Sequence, residues 1–375
     1  MNEKMKTYKI ILTTIGPVFV GDGKSLHKKE YIKDKQRIIV PDMRKMYSDL
    51  SRLGLAEKYE EYMLSSQRDD LGMWLRRQRV KPEMINSWSR YYLQCDTEGY
   101  SLNEMNIMTF LKDPYGCPYI PGSSLKGVIR TILLSYAMMN GRDSYSSMKG
   151  DLHREIFSSR DSRTRYLTKQ TRQLEVMTFH TMKRLNEKER DVQNAVNDVM
   201  SQCIVSDSCP LDPSDLIFCQ KLDAHRDGLV KPLNLGRECI APGTQIEFDL
   251  TISDQFPYSI EQIKEAVEKF ATRYYNSFSK YFKDKVKDIR PPKVTYIWLG
   301  GGVGYVSKTV MYPLYGYKEG LENVAEIMRH TVRDENHGHK NDVKLGVSPH
   351  ILKCTKYQGK LYEMGQCSIK FEEIN

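Results

Sequence analysis

The stretch IPGSSLKGVIR, residues 120–130, predicts the start of the helix around which the fold is arranged. Its apolar residues continue downstream at helical spacing, in the stripe Leu125, Val128, Ile129, Ile132, Leu133 and Tyr136. This is the period of an amphipathic helix that packs through one face. Ser123 or Ser124 can cap the helix, because a serine oxygen accepts a hydrogen bond from an amide of the first turn.

The same residues offer groups that bind an anion. The first amides of a helix lack intrahelical partners, and the positive end of the helix dipole lies there. Gly122 allows close approach of a ligand, and Ser123 and Ser124 add hydroxyl groups. Lys126 and Arg130 lie four residues apart on one side of the helix and can pair with neighbouring phosphates. The spacing is not that of a nucleotide-binding P-loop, and an ordinary capped core helix with surface cations remains the alternative.

Strands on both sides of this helix predict an α+β fold. Residues 7–15 read as a buried strand, and Ile246–Ile252 alternate apolar and polar side chains. Ser259 and Gln262 form a capping box before a further helix, and residues 295–299 form a late strand. The order strand, helix, two strands, helix, strand, with insertions, is ferredoxin-like, and the length favours two modules.

The chain divides into two expected parts. Residues 1–253 form an N-terminal ferredoxin-like domain, and residues 254–375 form a C-terminal α/β part. Asp42 is the expected N-cap of a helical insertion that covers about 43–110. Residues 141–172 are rich in Ser, Arg and Tyr without a steady period, which predicts a mobile basic loop.

A second loop suited to a phosphate chain follows the late strand. Gly300–Gly304 contains four glycines in five residues, which exclude side chains and expose amides. A tight crossing of two core elements would also require small residues at these positions. The loop lacks the GxGxxG spacing of a dinucleotide site.

Composition and charge indicate a folded, basic protein. The 375 residues are 40% hydrophobic and 28% charged, with a formal net charge of +9, which excludes a disordered or collagenous chain. Residues 24–45 carry 8 basic and 3 acidic side chains, and residues 121–190 carry 14 and 7. Such clustering is typical of a polyanion-binding surface, although solvated helical faces would also explain it.

Nothing in the sequence predicts export or membrane insertion. The apolar stretches are too short to span a bilayer, and the N-terminus lacks the pattern of a secretory signal. Eight scattered cysteines without a CxxC pair favour reduced thiols. We therefore expect a cytoplasmic protein with no membrane partner.

Three motifs in this order resemble the RAMP superfamily of CRISPR effector complexes. They are IPGSSLKG at residues 120–127, IGPVFVGDG at residues 15–23 and LGGGVGYVSKT at residues 299–309. Within that superfamily the chain is most similar to the subunits that cap the 3′ side of the guide RNA in type III-A (Csm) complexes. The resemblance is weakest across residues 141–197.

The resemblance implies a ferredoxin-like (RRM-like) core that holds crRNA by its phosphates and shape, without the stacking aromatics of a standard RRM. Leu222–Arg237 would be a thumb-like hairpin between guide and target. The implied RNA contacts are Gly122, Ser123, Ser124, Lys126 and Arg130 at the helix start, Gly301, Gly302 and Gly304 in the same groove, Lys24, Lys28 and Lys29 in the first loop, and Arg163 and Arg165 in the basic loop.

The resemblance also implies the partners. These are crRNA, target RNA within the complex, the repeated backbone RAMP subunit and the small helical subunit, together with host nucleases that trim the crRNA 3′ end. A pure assembly scaffold without direct RNA contacts is an alternative to the RNA-binding cap.

We expect no catalysis, no cofactor and no metal. In the first loop neither Asp22 nor Glu30 aligns with the aspartate by which backbone subunits cut RNA. The enzymatic alternative is a repeat-processing endoribonuclease, in which His27 acts as general base with Lys28, Lys29 and Tyr31. His330, His337 and His339 form a histidine-rich segment, but it lacks a CxxC or HExxH partner motif.

Overall fold

The computed structural model describes residues 4–34, 36–66, 69–95, 105–158, 167–182, 193–283, 295–332 and 338–374. The described strands are β1 (Met5–Thr14), β2 (Gly21–Leu26), β3 (Ile32–Asp34), β4 (Arg37–Pro41), β5 (Ser89–Gln94), β6 (Asn106–Phe110), β7 (Cys203–Val205), β8 (Leu216–His225), β9 (Val230–Ile240), β10 (Gln245–Ser253), β11 (Tyr296–Trp298), β12 (Ile351–Tyr357), β13 (Lys360–Glu363) and β14 (Gln366–Glu373). The described helices are α1 (Met43–Arg52), α2 (Ala56–Leu64), α3 (Leu71–Arg77), α4 (Pro82–Ser87), α5 (Gly122–Asn140), α6 (Ser146–Ser158), α7 (Thr168–Phe179), α8 (Ile260–Ser277), α9 (Met311–Thr331) and α10 (Asp342–Leu345).

The first sheet has the order β11-β14-β1-β10-β7, with antiparallel pairing throughout. The alternation predicted for β10 is observed, because Ile246, Phe248, Leu250 and Ile252 are all buried. Helices α5 and α8 pack against each other and share one core with this sheet. The α+β, ferredoxin-like prediction is confirmed, and so is the capping box of Ser259 and Gln262.

The central strand of this sheet joins the two ends of the chain. β1 pairs with β10 on one side and with β14, close to the C-terminus, on the other. The expected division into residues 1–253 and 254–375 therefore does not coincide with a division between sheets. Strand pairing across this boundary is long-range and carries no local sequence signal.

The second sheet has the order β2-β6-β9-β8-β5-β4-β3, with β12 and β13 added through β8. The segment Leu222–Arg237, expected as a thumb-like hairpin, consists of the paired strands β8 and β9 and the turn between them. β8 also pairs with β12, and β9 also pairs with β6. The base of this hairpin is therefore an integral part of the sheet.

The helical insertion is shorter than predicted. Asp42 caps α1 as expected, because its side chain accepts from the amides of Arg44 and Lys45. Helices α1 to α4 then enclose a small core of their own. Helix α4 ends at Ser87, and β5 begins at Ser89, where the polar and apolar side chains change to the two-residue alternation of a strand. The predicted extension of the insertion to residue 110 is therefore wrong.

The predicted mobile loop at 141–172 is largely helical where the structure describes it. Helix α6 buries Leu152 and Ile156, and Tyr145 is buried just before it. The spacing of Met148, Leu152 and Ile156 is helical, but so many polar residues separate these side chains that the period is faint. Arg163 and Arg165 lie outside the described residues.

Two sequence-based expectations concern the chain as a whole. No helix among the described residues is both long and apolar enough to cross a membrane. The eight cysteines are free thiols, and most of them are buried.

A buried carboxyl joins α8 to the end of β13. The Tyr274 hydroxyl donates a hydrogen bond to Glu363, and burial raises the pKa of Glu363 from 4.5 to about 7. The folded protein therefore holds this proton more tightly than the unfolded chain does. Its free energy of unfolding should fall as the pH rises from 4.5 to 7, by up to about 3 kcal/mol.

Glu363→Gln should flatten this part of the pH profile, measured by urea denaturation between pH 4.5 and 8, since a neutral amide cannot ionise. Glu268→Gln, on the exposed face of α8, is the matched control and should retain the wild-type profile. An unchanged profile in Glu363→Gln would show that another group titrates.

Candidate nucleic-acid interface

The glycine-rich loop after β11 is pressed against the segment that follows β1. Gly300, Gly302 and Gly304 have φ values of +88°, +84° and +89°. A β-carbon at Gly300 would lie 2.2 Å from the carbonyl oxygen of Phe19, and the amide of Gly301 donates to that oxygen at 2.7 Å. A β-carbon at Gly304 would have no neighbour closer than 3.6 Å. The tight-crossing explanation therefore holds at Gly300, and the loop is more open at Gly304.

A buried arginine lies beneath this loop. Arg237 on β9 is 8% exposed, and a β-carbon at Gly302 would lie 2.7 Å from its Nη1 atom. The guanidinium carbon is 5.4 Å from the ring centroid of Phe19. Its Nε and Nη1 atoms are buried without a hydrogen-bond partner among the described residues. Burial lowers the pKa of Arg237, but a guanidinium remains charged at neutral pH.

Three lysines surround Arg237. Cys219 is the partner of Arg237 across the β8–β9 ladder, and Lys221 lies two residues further along β8, where the register of the ladder shifts. Burial lowers the pKa of Lys221, and the charges of Lys353 and Arg237 lower it further. Burial and the charge of Arg237 also lower the pKa of Lys308, which follows the glycine loop. We use the name basic groove for the region that Arg237, Lys221, Lys308 and Lys353 form.

The basic groove carries a net positive charge. Lys353 lies under Gly304, and its ammonium is paired with Asp223 at 2.9 Å. Within the described ranges, Lys221, Arg237 and Lys308 have no carboxylate within ion-pair distance. Unpaired cations beside exposed glycine backbone are suited to a phosphate group.

The start of α5 differs in detail from the prediction. Neither Ser123 nor Ser124 caps the helix; Pro121 occupies the cap position, and the amide of Gly122 donates to Asp207 at 2.8 Å. Gly122 is required there because a β-carbon would lie 2.2 Å from the carbonyl oxygen of Val205. The predicted serine cap is therefore wrong, since a carboxylate from another part of the chain supplies the acceptor. Ser123 is exposed and Ser124 is half-buried.

The two basic residues of this helix have different surroundings. Arg130 is held between Asp198, at 2.6 Å, and Glu175, at 3.1 Å, and its guanidinium carbon lies 4.3 Å from the ring centroid of Phe179. It fastens α5 to α7, and its charge is already neutralised. Lys126 is half-buried, and no carboxylate pairs with it in the described part of the chain.

The lysines of the first loop also separate into two groups. Lys29 donates to three carbonyl oxygens at the end of α2, those of Tyr62 at 2.6 Å, Met63 at 3.2 Å and Ser65 at 2.7 Å. This ammonium stabilises the helix end as a C-terminal cap. Lys24 is exposed on β2, and Lys28 is half-buried.

The residues required by the endoribonuclease hypothesis are directed to different partners. Tyr31 is 1% exposed, and its hydroxyl donates to the carbonyl of Met105 at 2.7 Å. Burial raises the pKa of Tyr31 to about 12. His27 is exposed, with Nδ1 3.0 Å from Oδ1 of Asn106. The Tyr31 hydroxyl is therefore not exposed beside His27, and the Lys29 ammonium is engaged at the end of α2.

Sequence reasoning missed Lys221, Arg237 and Lys353, the three strand residues of the basic groove. A signal was present for two of them, because Lys221 lies inside a strand whose other positions are mostly buried, and Arg237 lies in the buried second half of β9. A charge in such a position is rarely retained without a partner or a ligand.

The fold and the basic groove together define a class of protein, an α+β chain in which buried Arg237, half-buried Lys221 and exposed Lys308 lie near a glycine-rich loop without a carboxylate partner among the described residues. The sequence model of the RAMP superfamily matches residues 11–362. The chain therefore belongs to the RAMP superfamily, which confirms the family expected from the motifs.

Individual relatives agree with this assignment. The chain is 28% identical over 399 aligned residues to the CRISPR system Cms protein Csm5 of Mycobacterium tuberculosis (strain CDC 1551 / Oshkosh), with 98% of both chains covered. It is 27% identical over 388 residues to the protein of the same name from Streptococcus thermophilus, with both chains fully covered.

Two solved structures share the fold. One is a chain in the cryo-EM structure of a Csm-crRNA-target RNA ternary complex of a type III-A CRISPR-Cas system, with a TM-score of 0.67, 21% identity and coverage of 97% of this chain and 100% of that one. The other is the crystal structure of T. onnurineus Csm5, with a TM-score of 0.59, 20% identity and coverage of 96% and 99%.

Substitution of Gly300 and Gly304 should distinguish the energetic cost of backbone strain from the cost of a steric clash. Gly300→Ala and Gly304→Ala both place a side chain at a φ near +89°, which costs about 1–2 kcal/mol. Only Gly300→Ala also drives a methyl group into the Phe19 carbonyl, so it should lower the free energy of unfolding by about 2 kcal/mol more. Urea denaturation checks this, and equal losses in the two variants would contradict the packing described above.

Lys29→Met should damage the helical insertion and leave RNA binding unchanged. Loss of the ammonium leaves three carbonyls of α2 without their donor, which should cost about 1–3 kcal/mol in the free energy of unfolding. Lys24→Met is the matched control and should change stability by less than about 0.5 kcal/mol. Weaker RNA binding in Lys29→Met at unchanged stability would show instead that Lys29 contacts RNA.

Proposed function

We propose that this protein is a non-catalytic crRNA-binding subunit that caps the 3′ side of the guide in a type III-A CRISPR interference complex. In that position it takes part in crRNA maturation, complex assembly and antiviral defence. The observation that carries the proposal is the group of cations beside the glycine loop, in which the buried Nε and Nη1 atoms of Arg237 have no hydrogen-bond partner among the described residues. The names of the similar proteins, and the RNA in the complex to which one similar chain belongs, support it.

The physical argument begins with the cost of burying Arg237. A buried ionic group without hydrogen-bond partners destabilises the folded protein, so its retention favours a ligand that compensates the cost. Lys221 and Lys308 add charge of the same sign within one groove. A phosphodiester supplies the missing acceptors and the opposite charge. Phosphate recognition of this kind is independent of base sequence, as a guide-binding subunit requires, since guides differ in sequence.

The proposed RNA path includes both loops identified from the sequence. Gly301, Gly302 and Gly304 line the basic groove, while Ser123, Ser124 and Lys126 lie at the start of α5. Gly122 shapes that start through its close contact with β7. β7 and β11 are the two edges of the first sheet, so a single RNA strand in contact with both loops would extend across the end of the sheet. Lys24 and Lys28 in the first loop are proposed as further contacts.

The proposed partners are crRNA, target RNA within the complex, the repeated backbone RAMP subunit and the small helical subunit. Nucleases that trim the crRNA 3′ end are proposed as transient partners, and the cytoplasm as the location. The burial of Tyr31, whose hydroxyl donates to a backbone carbonyl, supports a role without RNA cleavage.

Arg237→Met provides the most specific test. Because Nε and Nη1 of the buried guanidinium have no hydrogen-bond partner in the described part of the chain, a methionine of similar length should leave the free energy of unfolding equal or higher. It should nevertheless weaken binding of single-stranded RNA by roughly tenfold and reduce the slope of log K against log salt by about one. Fluorescence anisotropy across a salt series and urea denaturation measure the two effects.

Lys308→Ala should reduce the salt slope by about one in the same way. Lys318→Ala removes the same charge from the exposed surface of α9 and serves as the matched control, with an unchanged slope. If Arg237→Met and Lys308→Ala bind RNA as the wild type does, the basic groove is not the RNA site. Retention of crRNA in the purified complex by both variants would favour the assembly scaffold.

A further inference from the structure

A buried cluster of two histidines and one aspartate lies outside the basic groove. Asp342 is fully buried, with Oδ2 2.9 Å from Nδ1 of His339 and Oδ1 2.7 Å from Nδ1 of His350. The Ser348 hydroxyl donates to Oδ2 at 2.7 Å. The two imidazole rings lie 4.7 Å apart between centroids. One carboxylate therefore orients two imidazoles towards a common point.

The cluster is assembled from separate segments. His339 begins a short turn before α10, Asp342 is the first residue of α10, and His350 directly precedes β12. Of the histidines that the sequence groups together, His339 belongs to this cluster. His330 lies 2.9 Å from Oε1 of Glu326 on α9, and His337 is outside the described residues.

We propose that His339, Asp342 and His350 bind one divalent transition-metal ion, with zinc as the representative ion. The ligand atoms that these three residues offer all lie within 4.8 Å of one another. Metal–nitrogen and metal–oxygen bonds of about 2.0–2.2 Å bring ligand atoms to this range around one ion. Two imidazoles and one carboxylate favour zinc, nickel or cobalt over magnesium or calcium, which prefer oxygen ligands.

Binding requires only a small rearrangement. The ion lies between the carboxylate and the two Nδ1 atoms. The proton of each neutral ring is then on Nε2 instead of Nδ1. The buried negative charge of Asp342 is thereby compensated by a cation. Three protein ligands leave a fourth position of a tetrahedral site. The His225 ring, whose centroid lies 5.6 Å from that of His350, is near enough to approach that position, and a water molecule is the alternative ligand.

The ion would have a structural role and would cross-link parts of the second sheet. His350 leads directly into β12, and its carbonyl accepts from the amide of Arg226 in the β8–β9 turn at 3.0 Å. A bound ion would connect this turn, the start of β12 and α10. We therefore expect metal to stabilise the folded chain and not to take part in a reaction.

The test uses the full chain purified without a histidine tag and dialysed against EDTA. Titration with zinc sulfate, followed by calorimetry and by elemental analysis after gel filtration, should show one ion per chain. The melting temperature should rise with added zinc. His339→Gln and His350→Gln keep a hydrogen-bonding side chain and should each weaken zinc binding at least tenfold. His27→Gln, which changes an exposed histidine, should bind zinc as the wild type does.

The proposal would be overturned if the wild-type chain bound less than about 0.2 zinc ions at saturating zinc, which is the level of background binding. Stoichiometric binding that both cluster variants retain would also overturn it. If either variant fails to fold by circular dichroism, X-ray absorption of the zinc-loaded wild type decides: two imidazoles in the first shell support the cluster, and sulfur ligation overturns it. RNA affinity, measured with and without zinc, tests the proposed function and does not decide whether the cluster binds zinc.

Discussion

The structure depends on the contacts that residues 17–19 make, and we call this segment the seam. Val18 exchanges two backbone hydrogen bonds with Ile240 at the end of β9, at 2.8 and 3.1 Å. On the other side, the carbonyl of Pro17 accepts from Gly365, and that of Phe19 accepts from Gly301. One short segment therefore connects the first sheet, the second sheet and the glycine loop. Glycine is needed at Gly300, where a β-carbon would lie 2.2 Å from the carbonyl oxygen of Phe19. It is also needed at Gly365, where a β-carbon would lie 2.2 Å from Cγ1 of Val303 and 2.4 Å from the carbonyl oxygen of Leu299.

The seam also explains why the basic groove lies where it does. Arg237 is three residues before Ile240 on β9, so the pairing that fixes Val18 also fixes the guanidinium against the Phe19 ring. The glycine loop, fastened to Phe19, then lies directly above it. Of the four cations of the groove, Lys353 is paired with Asp223, whereas Lys221, Arg237 and Lys308 have no carboxylate partner among the described residues.

Three other cations of the chain bind structural partners within the protein. Arg130 joins two helices through two carboxylates, and Lys29 caps α2. Lys45, also within the basic segment 24–45, donates to the carbonyl of Ser87 and so holds the helical insertion closed. Net charge by segment therefore overestimates the surface that is free for RNA, since sequence alone does not distinguish a structural cation from an unpaired one.

The accuracy of sequence-based prediction here depended on whether a signal was local. The Asp42 cap, the capping box of Ser259 and the alternation in β10 each depend on residues within a few positions, and all were predicted correctly. The predicted serine cap of α5 failed because Asp207, 85 residues away, supplies the acceptor. The family motifs led to the glycine loop but not to Arg237, because the contact between Gly302 and Arg237 is formed only by the seam.

The histidine cluster and the basic groove are two parts of the same sheet region. His350 lies three residues before Lys353, whose stem passes under Gly304 and whose ammonium pairs with Asp223 on β8. β12 is added to the sheet through β8 alone among the described strands of the main order. A cluster that anchors the start of β12 therefore also holds one wall of the groove at its place on β8. The rigidity of that wall would favour the proposed binding of RNA, because a preorganised set of cations loses less entropy when it binds a phosphate chain.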